Sequence, residues 1–266
     1  MKAIITDLDR TLLRTDKTVS EYTCTILKKC HERGIVLMAA TARPERAILS
    51  YRNQIGFDAI TTLNGARVIL PHSIIENGIL PSSAASIVKK VIRIPDLVLA
   101  LETGKGVFSN IPIPEENATV FSEFASLPTG NIIYKLLVSS KKININKDTD
   151  TNKNINVYKE TNIYREVKEA LTRDTYMTVA EGKLIQIMST ASTKWNGIRT
   201  MLEAMGMKQD DAIYFGDDND DIESIKNCGV GVAVSNAIDE VLDAADFRTE
   251  SNDMDGVARY IEENLL

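Results

Sequence analysis

Histidine and cysteine are scarce in this chain. Its 266 residues include two histidines, His31 and His72, and three cysteines, Cys24, Cys30 and Cys228. Two isolated histidines leave little room for histidine-based acid–base catalysis or a histidine-rich zinc site. The cysteines show no metal-ligand spacing, and Cys24 and Cys30 fall within one expected helix, which disfavours a disulfide between them. A reducing cytoplasm is the simplest compartment for such usage. No apolar run approaches the roughly 20 residues that span a bilayer, and the first residues pass directly into a charged motif with no signal-peptide pattern. Basic charge is not in excess either. Lys and Arg number 31 against 37 Asp and Glu, a net charge of -6, which disfavours nonspecific nucleic-acid binding and leaves no membrane or nucleic-acid partner expected. Acid–base work near neutral pH therefore falls to carboxylates and lysine.

What is present is an alternation of apolar runs and helical spacing. KAIIT (2–6) reads as a short strand, and SEYTCTILKKCHER (20–33) as a helix with Ser20 as its N-cap and Gly34 closing it. IVLMAAT (35–41) reads as a second buried strand, and PERAILSYRNQIG (44–56) as a helix with Pro44 at its start. AITTLNGARVIL and SIIENGILP read as short strands with Asn-Gly turns. Towards the end of the chain the same alternation returns. A helix spans 193–206, a strand 211–217, a helix 219–229 and a strand 230–236, and helices follow over AIDEVLDAAD and DGVARYIEENLL. The middle differs: a helix over 82–94, a hairpin over 97–110, a strong strand over 131–140 and two alternating strands within 176–188. Between them lies a polar stretch, 141–160, that reads as a surface loop, followed by helical spacing from about Thr161 to Leu171. The fold class expected is α/β, a Rossmann-like parallel-sheet core over 1–81 and 186–266 with an inserted α+β cap over 82–185.

In parallel sheets ligands bind beyond the carboxyl ends of the strands. Three expected strands end in polar groups: Thr6-Asp7-Leu8-Asp9, Thr41-Ala42-Arg43, and Gly216-Asp217 followed by Asp218, Asn219, Asp220 and Asp221. If these strands are neighbours, Asp7, Asp9, Asp217 and Asp221 surround one crevice. Such carboxylates repel one another unless a cation joins them, and hard oxygen ligands select Mg²⁺. A carboxylate can also act as a nucleophile towards phosphorus, with a second one two residues on to carry the proton. Thr41 and Lys194 could hold phosphoryl oxygens, and backbone N–H groups after Asp7 would add a nest. Each feature has a plain structural alternative. Asp217 to Asp221 could cap the helix that follows, Thr41 could be a turn residue, and Lys194 could be a solvated surface lysine. The pair in DLDRT is harder to dismiss, since two uncompensated carboxylates at the end of a buried strand are destabilising. Arg10 stands between them and Thr11, at a turn position that favours glycine.

Taken together the motifs resemble those of the haloacid dehalogenase superfamily of phosphohydrolases, in its Cof-like branch. DLDRTLL matches the first motif, AATARP the second, STKWNGI the third and FGDDNDDIESI the fourth, while LNGA (63–66) and SNDMDGVARYIEE (251–263) match further signatures. The resemblance implies that Asp7 is the nucleophile and Asp9 the general acid/base. It implies that Asp7, the backbone carbonyl of Asp9 and Asp217 hold Mg²⁺, with Asp221 supporting that shell. Thr41, Ala42 beside it and Lys194 bind the phosphoryl group, and the insert is a cap that reads the leaving group. The chain departs from the family pattern at Ala42, where Gly is frequent, at Asp220, where Asn is frequent, and at Arg10, where most members have Gly. The expected function is a Mg²⁺-dependent phosphatase of small phosphorylated metabolites. Sugar phosphates, nucleotides, flavin mononucleotide and pyridoxal phosphate all fit this branch. A phosphomutase is the alternative within the same chemistry. A phosphorylatable signalling module is a third reading, disfavoured by Asp9, Lys194 and the fourth motif.

Overall fold

A computed structural model describes residues 1–121, 131–140, 162–180 and 184–266; the stretch read as a polar loop, 141–160, lies outside them. The chain forms two compact units, Met1–Glu76 with Ser192–Leu266, and Asn77–Ala191.

The first unit is built on an eight-stranded sheet. Its strands are β1 (Ala3–Thr6), β2 (Val36–Ala40), β3 (Ala59–Thr62), β4 (Arg67–Ile69) and β5 (Ile74–Glu76). Three more, which return late in the chain, are β12 (Ala212–Gly216), β13 (Val230–Val234) and β14 (Phe247–Thr249). The order is β14-β13-β12-β1-β2-β3-β4-β5. Pairing is parallel from β14 through β3 and antiparallel at β3–β4 and β4–β5. The central strands are buried along their whole length, as expected of a parallel sheet covered on both faces. Successive side chains go to opposite sides. Ile4 and Phe215 join a core with residues of the helices Glu21–Glu32 and Gly256–Asn264. Ile5 and Tyr214 join a second core with Trp195, Ile198, Met201 and Leu202 of the helix Lys194–Ala204.

Local signals act largely as the sequence suggests. The Ser20 hydroxyl accepts from the Thr23 N–H at 3.0 Å, and Gly34 takes φ 74° beyond the helix end, a conformation cheap only for glycine. Pro44 does not open a single helix: a 3₁₀ turn, Glu45–Ala47, precedes the helix Leu49–Ile55. The Asn64-Gly65 pair makes the turn between β3 and β4, whereas Asn77-Gly78 follows β5 and leads into a helix. Strand β14 has no counterpart in the sequence reading. It is three residues long, and Phe247 and Arg248 are exposed.

The second unit carries a six-stranded sheet of β6 (Leu97–Thr103), β7 (Gly106–Ser109), β8 (Thr119–Val120), β9 (Ile133–Ser140), β10 (Thr175–Ala180) and β11 (Leu184–Ser189), in the order β10-β11-β9-β6-β7-β8. Among the described residues its pairings are antiparallel except β7–β8. The helices Pro81–Val91 and Asn162–Ala170 supply Ile87, Val88, Val91 and Val167 to a core shared with Leu99, Leu101, Leu136 and Ile187. The units divide at 76/77 and 191/192, not at 81/82 and 185/186. The reason is packing: Ile79 bridges to Ile133, and Ile185 and Ile187 lie in the core of this unit.

Candidate active site

Strands β12, β1, β2 and β3 are adjacent and parallel, so their carboxyl ends share one edge. Asp7 continues the ladder, its N–H donating to the Phe215 carbonyl at 2.9 Å, and the Thr41 N–H donates to the Thr61 carbonyl at 2.9 Å. Two close approaches bring further groups to this edge. At Gly197 an added Cβ would lie 2.2 Å from Thr61 Oγ1, so only glycine lets the helix that carries Lys194 sit against β3. At Gly216 an added Cβ would meet the Asp221 carboxylate, so the loop after β12 folds back on itself tightly.

The result is a buried charge cluster. Lys194 Nζ donates to Asp7 Oδ1 at 2.8 Å and Asp221 Oδ1 at 2.7 Å, and lies 3.1 Å from Asp220 Oδ1. Asp221 is fully engaged. Its Oδ1 also accepts from the Tyr214 hydroxyl at 2.5 Å, and its Oδ2 accepts from the N–H groups of Asp217 and Asp218 at 2.9 and 3.1 Å. Asp217 Oδ1 accepts from the Thr11 hydroxyl at 2.7 Å, and its Oδ2 lies 3.8 Å from Arg10 Nε. Asp7, Asp217 and Asp221 are all buried, and each offers an oxygen within 4.8 Å of the others.

Electrostatics follow from this crowding. Burial, reinforced by the charges of Asp221 and Asp217 and offset only in part by Lys194, lifts the Asp7 carboxyl well above the usual carboxylate range. Burial and the Asp221 charge push Asp217 up to about 7, against the Thr11 hydrogen bond and Lys194. Burial alone would lower Lys194, but Asp220, Asp221 and Asp7 outweigh it and hold the ammonium charged. Three carboxylates buried this close together make a site whose negative charge a hard dication would offset.

Asp9 has different partners. Arg43 grips its carboxylate with two bonds of 2.6 Å, and Lys17 Nζ donates to it at 2.7 Å. The Arg43 guanidinium lies 5.5 Å from the centre of the Tyr51 ring, and the Tyr51 hydroxyl donates to the Lys17 carbonyl at 2.9 Å. These contacts close a ring around Asp9. Burial works to raise its carboxyl, yet Arg43 and Lys17 prevail and hold it below the usual range.

Of the residues singled out in the sequence, Asp7, Lys194, Asp217 and Asp221 are thus in one cluster. Asp9 is held by its own clamp. Thr41 is buried, its hydroxyl accepting from the Arg43 N–H at 3.1 Å, with half-buried Ala42 between them. Arg10, with φ 60°, occupies the glycine-like turn position. Its guanidinium also donates to the Asn236 carbonyl at 3.2 Å, although the side chain remains 58% exposed. Sequence reasoning assigned no role to Thr11, Lys17, Arg43, Tyr51, Asn64 or Tyr214. Asn64, in LNGA, donates from Nδ2 to Asp220 Oδ2 at 2.9 Å. For Tyr214 the available signal was a hydroxyl within a wholly buried strand.

The sequence model of the haloacid dehalogenase-like hydrolases matches residues 4–261. The chain belongs to this family. The protein YxeH of Bacillus subtilis (strain 168) is 29% identical over 285 residues, covering 100% of this chain and 98% of its own. The 5-amino-6-(5-phospho-D-ribitylamino)uracil phosphatase YitU of the same organism is 27% identical, with 98% and 96% covered. A haloacid dehalogenase-like hydrolase from Bacteroides thetaiotaomicron of solved structure is 25% identical, with 98% of each chain covered and a TM-score of 0.75. The family is one of hydrolases and both of these full-length relatives carry phosphatase in their names, so the chain is a phosphoric monoester hydrolase. Among the described residues no helix is long and apolar enough to cross a membrane.

Proposed function

We propose that the protein is a Mg²⁺-dependent phosphatase of small phosphorylated metabolites that works through a phosphoryl group carried on Asp7. The observation that carries this reading is the buried contact of Lys194 with Asp7 and Asp221 beside Asp217, at the carboxyl edge of the sheet.

The donor set fits Mg²⁺. Asp7 and Asp217 would offer carboxylate oxygens to the ion, and the backbone carbonyl of Asp9 would be the third ligand. Asp221 could reach a cation only by giving up one of its four hydrogen bonds, so its fitting role is to hold the 217–218 backbone and Lys194 in place. When bound, the ion neutralises the nucleophile's neighbours and polarises a phosphoryl oxygen.

In the first step an Asp7 oxygen forms a bond to phosphorus while the ester oxygen departs with a proton from Asp9. In the second, water attacks phosphorus, gives its proton to Asp9 and releases phosphate, which restores Asp7. Lys194 and Thr41 stabilise phosphoryl oxygens. The arrangement of Asp9 bears on the first step. Gripped by Arg43 and Lys17 it is an ionised base, so donating a proton requires that this grip loosen as the ester binds. Thr11 fixes the Asp217 carboxylate that the metal uses. The inserted unit is proposed to select the leaving group. The three unpaired cysteines support a reducing cytoplasm as the site of action.

The test is phosphate release from p-nitrophenyl phosphate and from a panel of sugar phosphates and nucleotides, with Mg²⁺ and after chelation. Repeated turnover that needs the ion is expected. Full turnover after exhaustive chelation, or a single stable phosphorylation without turnover, would overturn the proposal.

A further inference from the structure

An ammonium group has three N–H donors. Those of Lys194, whose side chain is 3% exposed, face three carboxylates: Asp221 at 2.7 Å, Asp7 at 2.8 Å and Asp220 at 3.1 Å. The three partners are not equivalent. Asp7 follows directly on β1 and must meet the phosphorus atom. Asp221 is pinned by Tyr214 and two backbone N–H groups. Asp220 makes the longest contact of the three, its side chain is 30% exposed, and its other oxygen is anchored to the Asn64 amide at 2.9 Å.

We infer that Asp220 occupies Lys194 in place of a phosphoryl oxygen and thereby sets how tightly this site holds phosphate. The inference rests on the phosphatase reading above. A phosphoryl group arrives with negative charge and needs a donor from Lys194. Asp220 occupies that donor and adds a further carboxylate to repel the newcomer. The incoming oxygen displaces Asp220, and the Asn64 amide keeps the displaced carboxylate anchored through Oδ2. The same competition works on the product, so Asp220 also hastens phosphate release. It is an affinity-setting residue that acts through Lys194, and no bond to phosphorus is asked of it.

Asp220→Asn tests this without changing shape. Lys194 faces Oδ1 and the Asn64 amide faces Oδ2, and an asparagine in the same place can put its one oxygen at only one of these two positions. Keeping the Asn64 bond turns its NH₂ towards Lys194, which it cannot bind, so a donor becomes free and one negative charge is gone. The expected result, with Mg²⁺ present, is that the Kd for inorganic phosphate by calorimetry and the KM for p-nitrophenyl phosphate fall together by about two- to fivefold, the range of a partly exposed ion pair. kcat should stay level or fall as release slows. Asp220→Ser, which also removes the charge, should move both constants in the same direction. A purely structural role would lower the melting temperature and kcat without tightening phosphate. Constants that stay level or rise in both variants overturn the inference, and so does loss of the fold in both. If the wild-type protein releases no phosphate from any ester, the phosphatase reading fails. If it turns over while the variants bind phosphate no more tightly, only the role of Asp220 fails.

Discussion

Replacing Tyr214 with Phe removes one hydroxyl from the centre of the first unit and leaves the ring in place. Tyr214 is fully buried on β12, packed among the residues that include Ile5, Met38 and Ile198. Its hydroxyl donates to Asp221 Oδ1, the oxygen that also accepts from Lys194. Burial, with the Asp221 charge, raises the phenol well above its ordinary range, so it stays a donor throughout the stable pH range. A hydrogen bond to a charged group is worth about 1.5–3 kcal/mol. Because Asp221 keeps three other donors, the lower part of that range applies. A loss of about 1.5–2 kcal/mol should lower Tm by roughly 3–8 °C for a chain of this size. Scanning calorimetry would read it, taking the transition that Mg²⁺ shifts as that of the unit carrying the site. Steady-state kinetics should show a fall in kcat of less than tenfold, as Lys194 becomes less firmly placed. Stability within about 0.5 kcal/mol of wild type, the range of an ordinary surface change, would refute the reasoning that Tyr214 braces Asp221.

Asp9→Asn keeps the nucleophile but removes the proton carrier. It should give a burst of about one nitrophenolate per enzyme followed by slow turnover, while an alkyl phosphate fails at the first step; loss on both substrates without a burst would contradict the division of roles. With Asp217 pushed up to about 7 in the metal-free protein, a cation must expel a proton at lower pH. Because the Asp7 carboxyl is lifted as well, the apparent Kd for Mg²⁺ by calorimetry should weaken by about tenfold or more per pH unit below 7, and equal affinity at pH 6 and 8 would count against this. Arg10 sits at φ 60°, so Arg10→Gly should be more stable than Arg10→Ala by about 0.5–1 kcal/mol in chemical denaturation, and the reverse order would show that the turn is not strained there.

The strand ends were legible because their chemistry departs from the apolar runs that precede them. Asp7 and Lys194 stand 187 positions apart, yet each lies in a motif whose order along the chain could be read. The Asp9 clamp was not legible. Lys17 and Arg43 are eight and 34 positions from Asp9, and only the fold of the 14–18 turn and of the β2 end brings them together. Tyr214 was not singled out within the strand read over 211–217, since an aromatic residue in an apolar run does not reveal what its hydroxyl meets. The unit boundaries were misplaced by five or six residues because alternation in β11 is visible while the sheet it joins is not. Strand β14 was missed because three residues with an exposed face carry no period. Asp220 was noticed as a departure, but its contact with Lys194 follows from the tight return of the loop onto Gly216.

The central claim is that phosphorus becomes bonded to Asp7. Acid-quenching the Asp9→Asn protein during its p-nitrophenyl phosphate burst, reducing with borohydride and sequencing the peptides by mass spectrometry tests it directly, since an acyl phosphate is reduced to the alcohol. The account predicts homoserine at position 7 and unmodified aspartate at 217 and 221. Reduction at another carboxylate, or none at position 7 although a burst has occurred, would contradict it.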